Sequence, residues 1–399
     1  MELKYGMINC DAHAQLDKDI WLNNMSKAKW GDAIPQILPT QNVEHMRVDW
    51  GEADTERWFI NGQVAELRGV CNCPTVMQED KWGEAGAHRK YFPQRWSDVP
   101  LKVYDKTERL KAMDEDTTDA EVMFFNSPFQ GGTVFQHDAE FELECIKIYN
   151  DGVADFRKFS DRYIPLTMLP YLGGIESTIA EVERSKKNGH RGLCMIQDPS
   201  RNHKDLPHFN ERYWDPLWKT CEDLGVPIHW HGGGGSGIGL DNWKGFTANE
   251  LQGLGGNGNA AQSVVASIFS GVMDRYPKLW WIYAEIGMGW INYVIEGADY
   301  EWEKRRLWTH GLVTRPSEIF RRQMMVEFWF EKYGQVQRHD IGVDNIMWLN
   351  DYPHSTALYP ESWDFVERTM AGIPTEEREK MLWRNAARIY DLDIVDARA

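Results

Sequence analysis

Apolar runs of four to eight residues recur along the chain, each closed off by turn or capping residues, as expected of strands buried on both faces. Eight stand out, at residues 6–10, 120–125, 163–169, 192–196, 226–230, 279–284, 324–328 and 345–349. Between most of them the apolar period lengthens to that of a helix, over 107–116, 139–159, 175–187, 214–224, 260–276 and 290–307. Strands alternating with helices imply right-handed crossovers and a parallel sheet. Eight such units predict an α/β fold closed into a (β/α)8 TIM barrel, one domain over residues 1–399.

One interval breaks the rhythm. Residues 14–100 contain no clear strand-helix unit but many Trp, Gly, Asp and Pro, as in Trp50-Gly-Glu and Trp82-Gly-Glu-Ala-Gly. An insertion of this kind leaving the first strand reads as a lid over the barrel mouth or as a small subdomain for oligomer contact. Within it, Trp58-Phe-Ile-Asn-Gly-Gln-Val is expected to form a small hairpin. The tract Gly232 to Gly239 lacks the ending of a phosphate loop, and its glycines would let backbone approach a ligand closely.

Composition narrows the function. The 399 residues carry a formal net charge of -17, against a nucleic-acid or anionic-membrane partner and in favour of a small neutral or cationic molecule. Nineteen Trp suggest aromatic walls to interfaces or a pocket. The six cysteines are scattered, so buried thiols rather than a disulfide scaffold are expected. With neither a signal-peptide region nor an apolar stretch long enough for a bilayer, a soluble cytoplasmic protein is expected.

The chemistry-bearing residues sit where strands end. Asp11-Ala-His13 follows the first run, His229-Trp-His231 the fifth, Glu285 the sixth and Asp351-Tyr-Pro-His354 the eighth. Residues leaving the carboxyl ends of barrel strands converge at one rim. Asp11 and His13 are two apart, as are His229 and His231, so each pair projects to one side of its strand. Asp11, His13, His231, Glu285 and Asp351 together would offer a divalent metal two imidazoles and three carboxylates.

These segments resemble a known family. Met7-Ile-Asn-Cys-Asp11-Ala-His13, the stretch Pro227-Ile-His-Trp-His231, Glu285-Ile-Gly-Met-Gly-Trp290 and Trp348-Leu-Asn-Asp351-Tyr-Pro-His354 are similar to the amidohydrolase-related family that includes aminocarboxymuconate semialdehyde decarboxylase. The resemblance runs from the first strand to Asn385-Ala-Ala-Arg-Ile-Tyr390 and skips most of 14–100. It implies a distorted TIM barrel, a metal at the rim, and hydrolysis or decarboxylation. It implies His13 and His231 as ligands, and Asp351 as a ligand or as the base that takes a proton from water. His229 would be an outer-shell or substrate contact, and His354 or His229 a proton donor.

The departures matter. Gln15 stands where the family's second first-strand histidine belongs, and Glu285 replaces the sixth-strand histidine, as in a branch with Glu-x-Gly-x-Gly-Trp. No lysine lies in 192–196 to build a carbamate bridge. Carboxylate for imidazole hardens the site and favours iron or manganese over zinc, with room for a second ion. Three accounts follow: a metal-dependent hydrolase or carboxy-lyase acting on a small organic substrate, aromatic rings among the candidates; a dinuclear non-haem iron or manganese oxygenase resembling 2-aminoisobutyrate hydroxylase; or a degraded partner subunit of such a complex. A homodimer or related hetero-oligomer is the assembly the resemblance implies.

Overall fold

The computed structural model describes residues 1–40, 55–65, 69–74, 92–126, 128–196, 198–232 and 260–398. Eight parallel strands form one sheet: β1 Ile8–Ala14, β2 Ala120–Phe125, β3 Tyr163–Met168, β4 Gly192–Cys194, β5 Ile228–His231, β6 Trp281–Ala284, β7 Met324–Phe328 and β8 Ile346–Trp348. Neighbours in the chain are neighbours in the sheet from β1 to β8, and every pairing is parallel. Each coincides with one of the eight apolar runs, so the expected TIM barrel is the observed fold.

The seam between β8 and β1 is closed by the chain just past β8. His13 N donates to Tyr352 O at 2.7 Å and Asp351 N to Asp11 O at 3.0 Å. β1 extends four residues beyond the expected 6–10, because these bonds and its ladder with β2 continue to Ala14. Its register shifts between Asn9 and Ala12, a bulge that re-aims the side chains next to it.

Inward-facing residues, among them Cys10, Phe124, Leu166, Ile282, Met325 and Met347, fill the barrel, and Ile389 and Tyr390 pack into the same cluster. The outward faces pack on the surrounding helices in a larger core rich in Trp. Helices Ala139–Phe159, Gly174–Lys187 and Asp215–Leu224 fall where the periodicity places them. The expected helix over 260–276 is broken: residues 260–269 are helical, Gly271 turns at φ 71, and Val272–Arg275 forms a separate turn. Glycine there lets the chain change direction at little steric cost.

Within the insertion, Thr55–Ile60 pairs antiparallel with Gln36–Thr40 and with Gln63–Val64. The two-residue connection is Asn61-Gly62, both at positive φ (52 and 70), which suits the twist of a hairpin. Trp58 is buried and donates from Nε1 to Val70 O at 2.8 Å, and its ring meets Trp21 edge-on. This hairpin, β1, β2 and helix Ala139–Phe159 share one apolar cluster. The segments Trp50-Gly-Glu and Trp82-Gly-Glu-Ala-Gly, and the tract from Gly233 to Gly239, lie outside the described residues. All six cysteines are buried and unbridged. Among the described residues no helix is long and apolar enough to cross a membrane.

Candidate metal centre

At the carboxyl end of the barrel the structure brings together Asp11 and His13 from β1, His231 closing β5, Glu285 just after β6, and Asp351 and His354 after β8. Three overlapping sets, Asp11 with His13 and His231, His13 with Asp351 and His354, and Asp11 with Glu285 and Asp351, each place their donor atoms within 4.8 Å of one another. Residues more than 300 positions apart in sequence thus meet in one pocket, as expected of strand ends in a closed barrel.

Backbone carbonyls fix the imidazoles. His13 Nδ1 lies 2.7 Å from Phe125 O and His231 Nδ1 lies 2.8 Å from Gly232 O. A carbonyl can only accept, so each ring carries its proton on Nδ1 and turns Nε2 into the pocket, the arrangement by which second partners orient metal-binding histidines. The two Nε2 atoms face each other at 3.2 Å. Around them, His13 Nε2 is 3.3 Å from Asp11 Oδ1 and 3.2 Å from Asp351 Oδ1, while His231 Nε2 is 3.5 Å from Asp11 Oδ2 and 3.6 Å from Glu285 Oε2.

Two nitrogen lone pairs and three carboxylates aimed at one point call for positive charge. Both oxygens of Asp11 and Oδ1 of Asp351 are buried, and the groups that approach them are the ring nitrogens of His13, His231 and His354. Without a cation, protons take its place: burial opposes it, but the charge of Asp11 and, for His13, the bond to Asp351 hold the imidazoliums up, His13 to about 10 and His231 to about 9. Those same imidazoles outweigh burial at Asp11 and draw it down to about 2. Glu285 goes the other way, pushed up to about 8 by burial and by the charge of Asp351. The donor set of imidazole nitrogens and carboxylate oxygens fits a divalent ion of intermediate to hard character.

The backbone is strained where ligands are presented. Glu285 has φ 53 and Asp351 φ 62, left-handed conformations that cost a side-chain-bearing residue of order 1 kcal/mol or more and cluster at functional sites. Gly232 is compelled by the same geometry, since a Cβ there would lie 2.3 Å from Glu285 O. At Gly232 the missing side chain lets the β5 and β6 ends approach each other. Asp351 is further oriented by Thr356, whose hydroxyl donates to Oδ2 at 2.6 Å, and by His354 Nδ1 at 2.9 Å from Oδ1. The His354 ring stacks on His13 at 3.7 Å between centroids.

His229 stands apart. Its Nδ1 bonds Leu193 O at 3.0 Å, its Nε2 bonds the Tyr390 hydroxyl at 2.9 Å, and the two rings stack inside the barrel. With both nitrogens engaged one level below the pocket, it is held neutral by burial, down to about 4, and has no free position for substrate. Gln15, at the place of the family's second histidine, is buried and donates to Leu16 O at 3.3 Å.

Three residues escaped sequence reasoning. Thr356 carried no signal beyond its closeness to Asp351. Arg109 is fully buried on helix Lys106–Glu115; it grips Glu121 with two bonds (2.8 and 2.7 Å) and donates from Nη1 to His13 O at 2.8 Å, with Tyr352 under its guanidinium at 4.9 Å. Glu327 was visible as the charge in Met324-Met-Val-Glu-Phe328, an otherwise apolar strand.

Comparison with known proteins agrees with this architecture. The amidohydrolase family profile matches residues 10–392. The decarboxylase orsB of Emericella nidulans is 28% identical over 261 residues, 61% of this chain and 75% of its own length. Among solved structures, an amidohydrolase from Mycobacterium avium subsp. paratuberculosis K-10 superimposes with TM-score 0.73 at 18% identity, covering 97% of this chain and 100% of its own. A dihydroxybenzoic acid decarboxylase from Polaromonas sp. JS666, solved with manganese and 2-nitroresorcinol, gives TM-score 0.59 at 21% identity over 74% of this chain and 89% of its own. At such identities the two structural likenesses establish the shared barrel.

Proposed function

The chain belongs to the amidohydrolase family, and from that premise we propose that it is a divalent-metal-dependent carboxy-lyase acting on a small aromatic carboxylic acid, with hydrolysis as the related chemistry of the same site. The observation that carries this reading is the convergence of Asp11, His13, His231, Glu285 and Asp351 in overlapping donor sets, each spanning no more than 4.8 Å. The aromatic acid class comes from the relatives, a fungal decarboxylase and a dihydroxybenzoic acid decarboxylase. The manganese of the latter favours manganese as the first ion to test.

A divalent ion held there supplies Lewis acidity, polarising a substrate oxygen. His13 and His231 would hold it through Nε2, and Asp11, Glu285 and Asp351 would supply negative charge. When the bond from ring carbon to carboxylate breaks, its electron pair stays on the ring carbon and a proton takes the vacated position. His354 and Asp351, joined at 2.9 Å, form the pair that carries this proton. Burial holds His354 below the ordinary imidazole range, so the ring rests neutral and takes up from solvent water the proton that it passes to the ring carbon as carbon dioxide leaves. In hydrolysis Asp351 takes a proton from water instead.

A second reading, a dinuclear iron or manganese oxygenase, is favoured by the surplus of donors: three carboxylates and three imidazoles in overlapping sets exceed the needs of one ion. Elemental analysis separates the two, one ion per chain against two. The direct test loads the purified protein with manganese, offers hydroxylated benzoic acids, and measures carbon dioxide and the ring product. Release that stops on chelation and in Asp351→Asn supports the lyase; turnover surviving either treatment overturns it. This reading also expects a cytoplasmic homodimer or related hetero-oligomer with residues 14–100 as a lid, which light scattering and deletion of the insertion would check.

A further inference from the structure

Glu327 lies on β7 with no exposed surface, and neither of its carboxylate oxygens has a hydrogen-bond partner. Its neighbours Val326 and Phe328 belong to the outer core, whereas Met325, two residues before it, lies in the barrel interior. Alternation along the strand therefore turns Glu327 inward. Register fixes its level. Tyr283 on β6 pairs with Val326, so the next residue, Ala284, stands beside Glu327, and Ala284 pairs with His231 on β5. The row reads His231, Ala284, Glu327, with the small Ala284 between the two longer residues. About 10 Å divides the outer two backbones, two strand spacings.

A carboxyl group buried without partners destabilises the fold, and an apolar residue of similar size would suit this interior better. The charge of Asp11 also bears on it, adding to burial in pushing its acid well above the carboxylate range. A group so unfavourable to the empty fold, placed level with one ion donor and within the field of another, is what a cation would relieve.

We propose that Glu327 belongs to the ion site: a fourth carboxylate at the floor of the pocket, which the cation recruits as a ligand or through its own bound water. This rests on the metal-dependent reading above, with β7 adding a donor to those of β1, β5, β6 and β8. The step is a binding step only, and no bond to substrate is involved.

The test uses the full chain, stripped of metal, with Mn(II) as the probe. Glu327→Met and Glu327→Gln are compared with wild type for Mn(II) affinity by electron paramagnetic resonance titration and for melting temperature without metal. The expected result is that Glu327→Met melts no lower than wild type without metal, while Mn(II) binding weakens about tenfold or more in both variants, as loss of metal-site partners does. Affinity within about twofold of wild type in either folded variant overturns the proposal. Should Glu327→Met fail to fold, Glu327→Gln decides on the same criterion. Wild-type protein that binds no divalent ion would instead defeat the metal-dependent reading itself, so the two failures are distinguishable.

Discussion

Arg109 offers a test of how the barrel seam sets the ion site. Its guanidinium is fully buried and paired with a Glu121 side chain that is 2% exposed. The same group donates to the carbonyls of His13 and Val103, at 2.8 and 3.0 Å. Replacing Arg109 by Met strands the Glu121 carboxylate in the interior, and removing one member of a buried pair costs about 3–5 kcal/mol. Replacing Glu121 by Leu as well removes the stranded charge, and such pairs exchanged for apolar residues are often neutral or stabilising. The double variant should therefore recover most of the stability lost by Arg109→Met, measured by urea denaturation of the metal-free protein. Ion affinity should behave differently. In both variants His13 O has lost its donor and Tyr352 its cation, so the spacing between His13 and Asp351 across the seam is no longer clamped. Mn(II) binding should remain weakened by about tenfold even where stability has returned. If affinity returns together with stability, Arg109 acts only through folding and the positioning argument fails.

Gly232→Ala should disrupt the site from the backbone side: a Cβ 2.3 Å from Glu285 O forces the β5 and β6 ends apart, and Mn(II) affinity should fall even if the barrel still folds, as calorimetric titration would show. Stability should depend on pH through His190 and His229, both held neutral by burial with values near 4. Their folded values lie below the unfolded value near 6.5, so their contribution is full above that pH and is lost as pH falls from about 6.5 toward 4, roughly 3 kcal/mol for each. His229→Gln should flatten the acid limb of a denaturation series; an unchanged limb would contradict the assignment. Finally, Mn(II) at about a hundredfold over its dissociation constant should raise unfolding free energy by about 2.7 kcal/mol, and the absence of any rise would speak against an ion site.

The barrel was legible because its signals are local. Each strand buried on both faces shows as an uninterrupted apolar run, and helices such as Ala139–Phe159 carry capping and periodicity along one stretch of chain. The candidate ion site was legible for a different reason: strand ends in a barrel converge, so Asp11, His13, His231, Glu285 and Asp351 could be grouped without knowing any distance. What the sequence concealed depends on contacts between distant segments. His229 and His231 share a spacing and a strand face, yet one lies a level deeper, where Leu193 and Tyr390 claim its nitrogens. Arg109 reads as one more charge on a surface helix until Glu121 and His13 are placed beside it. The break at Gly271 was equally hidden, because the periodicity of 260–276 carries across it.

The site sits where the barrel is least regular, and the irregularities belong together. Asp11 falls in the bulged stretch of β1 between Asn9 and Ala12, while Asp351 lies past the end of β8 in a left-handed conformation. A regular ladder between β8 and β1 would hold their carboxylates in the alternating pattern of a sheet. Here two backbone bonds and the Asn350 N to Asn9 Oδ1 contact at 2.9 Å close the seam instead, which leaves both residues free to turn toward His13. Glu285 repeats the device on the far side, its left-handed turn made possible by Gly232. Each departure weakens the empty fold, through strain, buried carboxylate oxygens or a forced glycine, and each sets a donor toward one point. Their concentration around a single pocket is hard to explain by packing, which would have favoured apolar residues and regular pairing at the same positions. A cation accounts for all of them at once, because its charge offsets the repulsion and desolvation that the carboxylates otherwise impose.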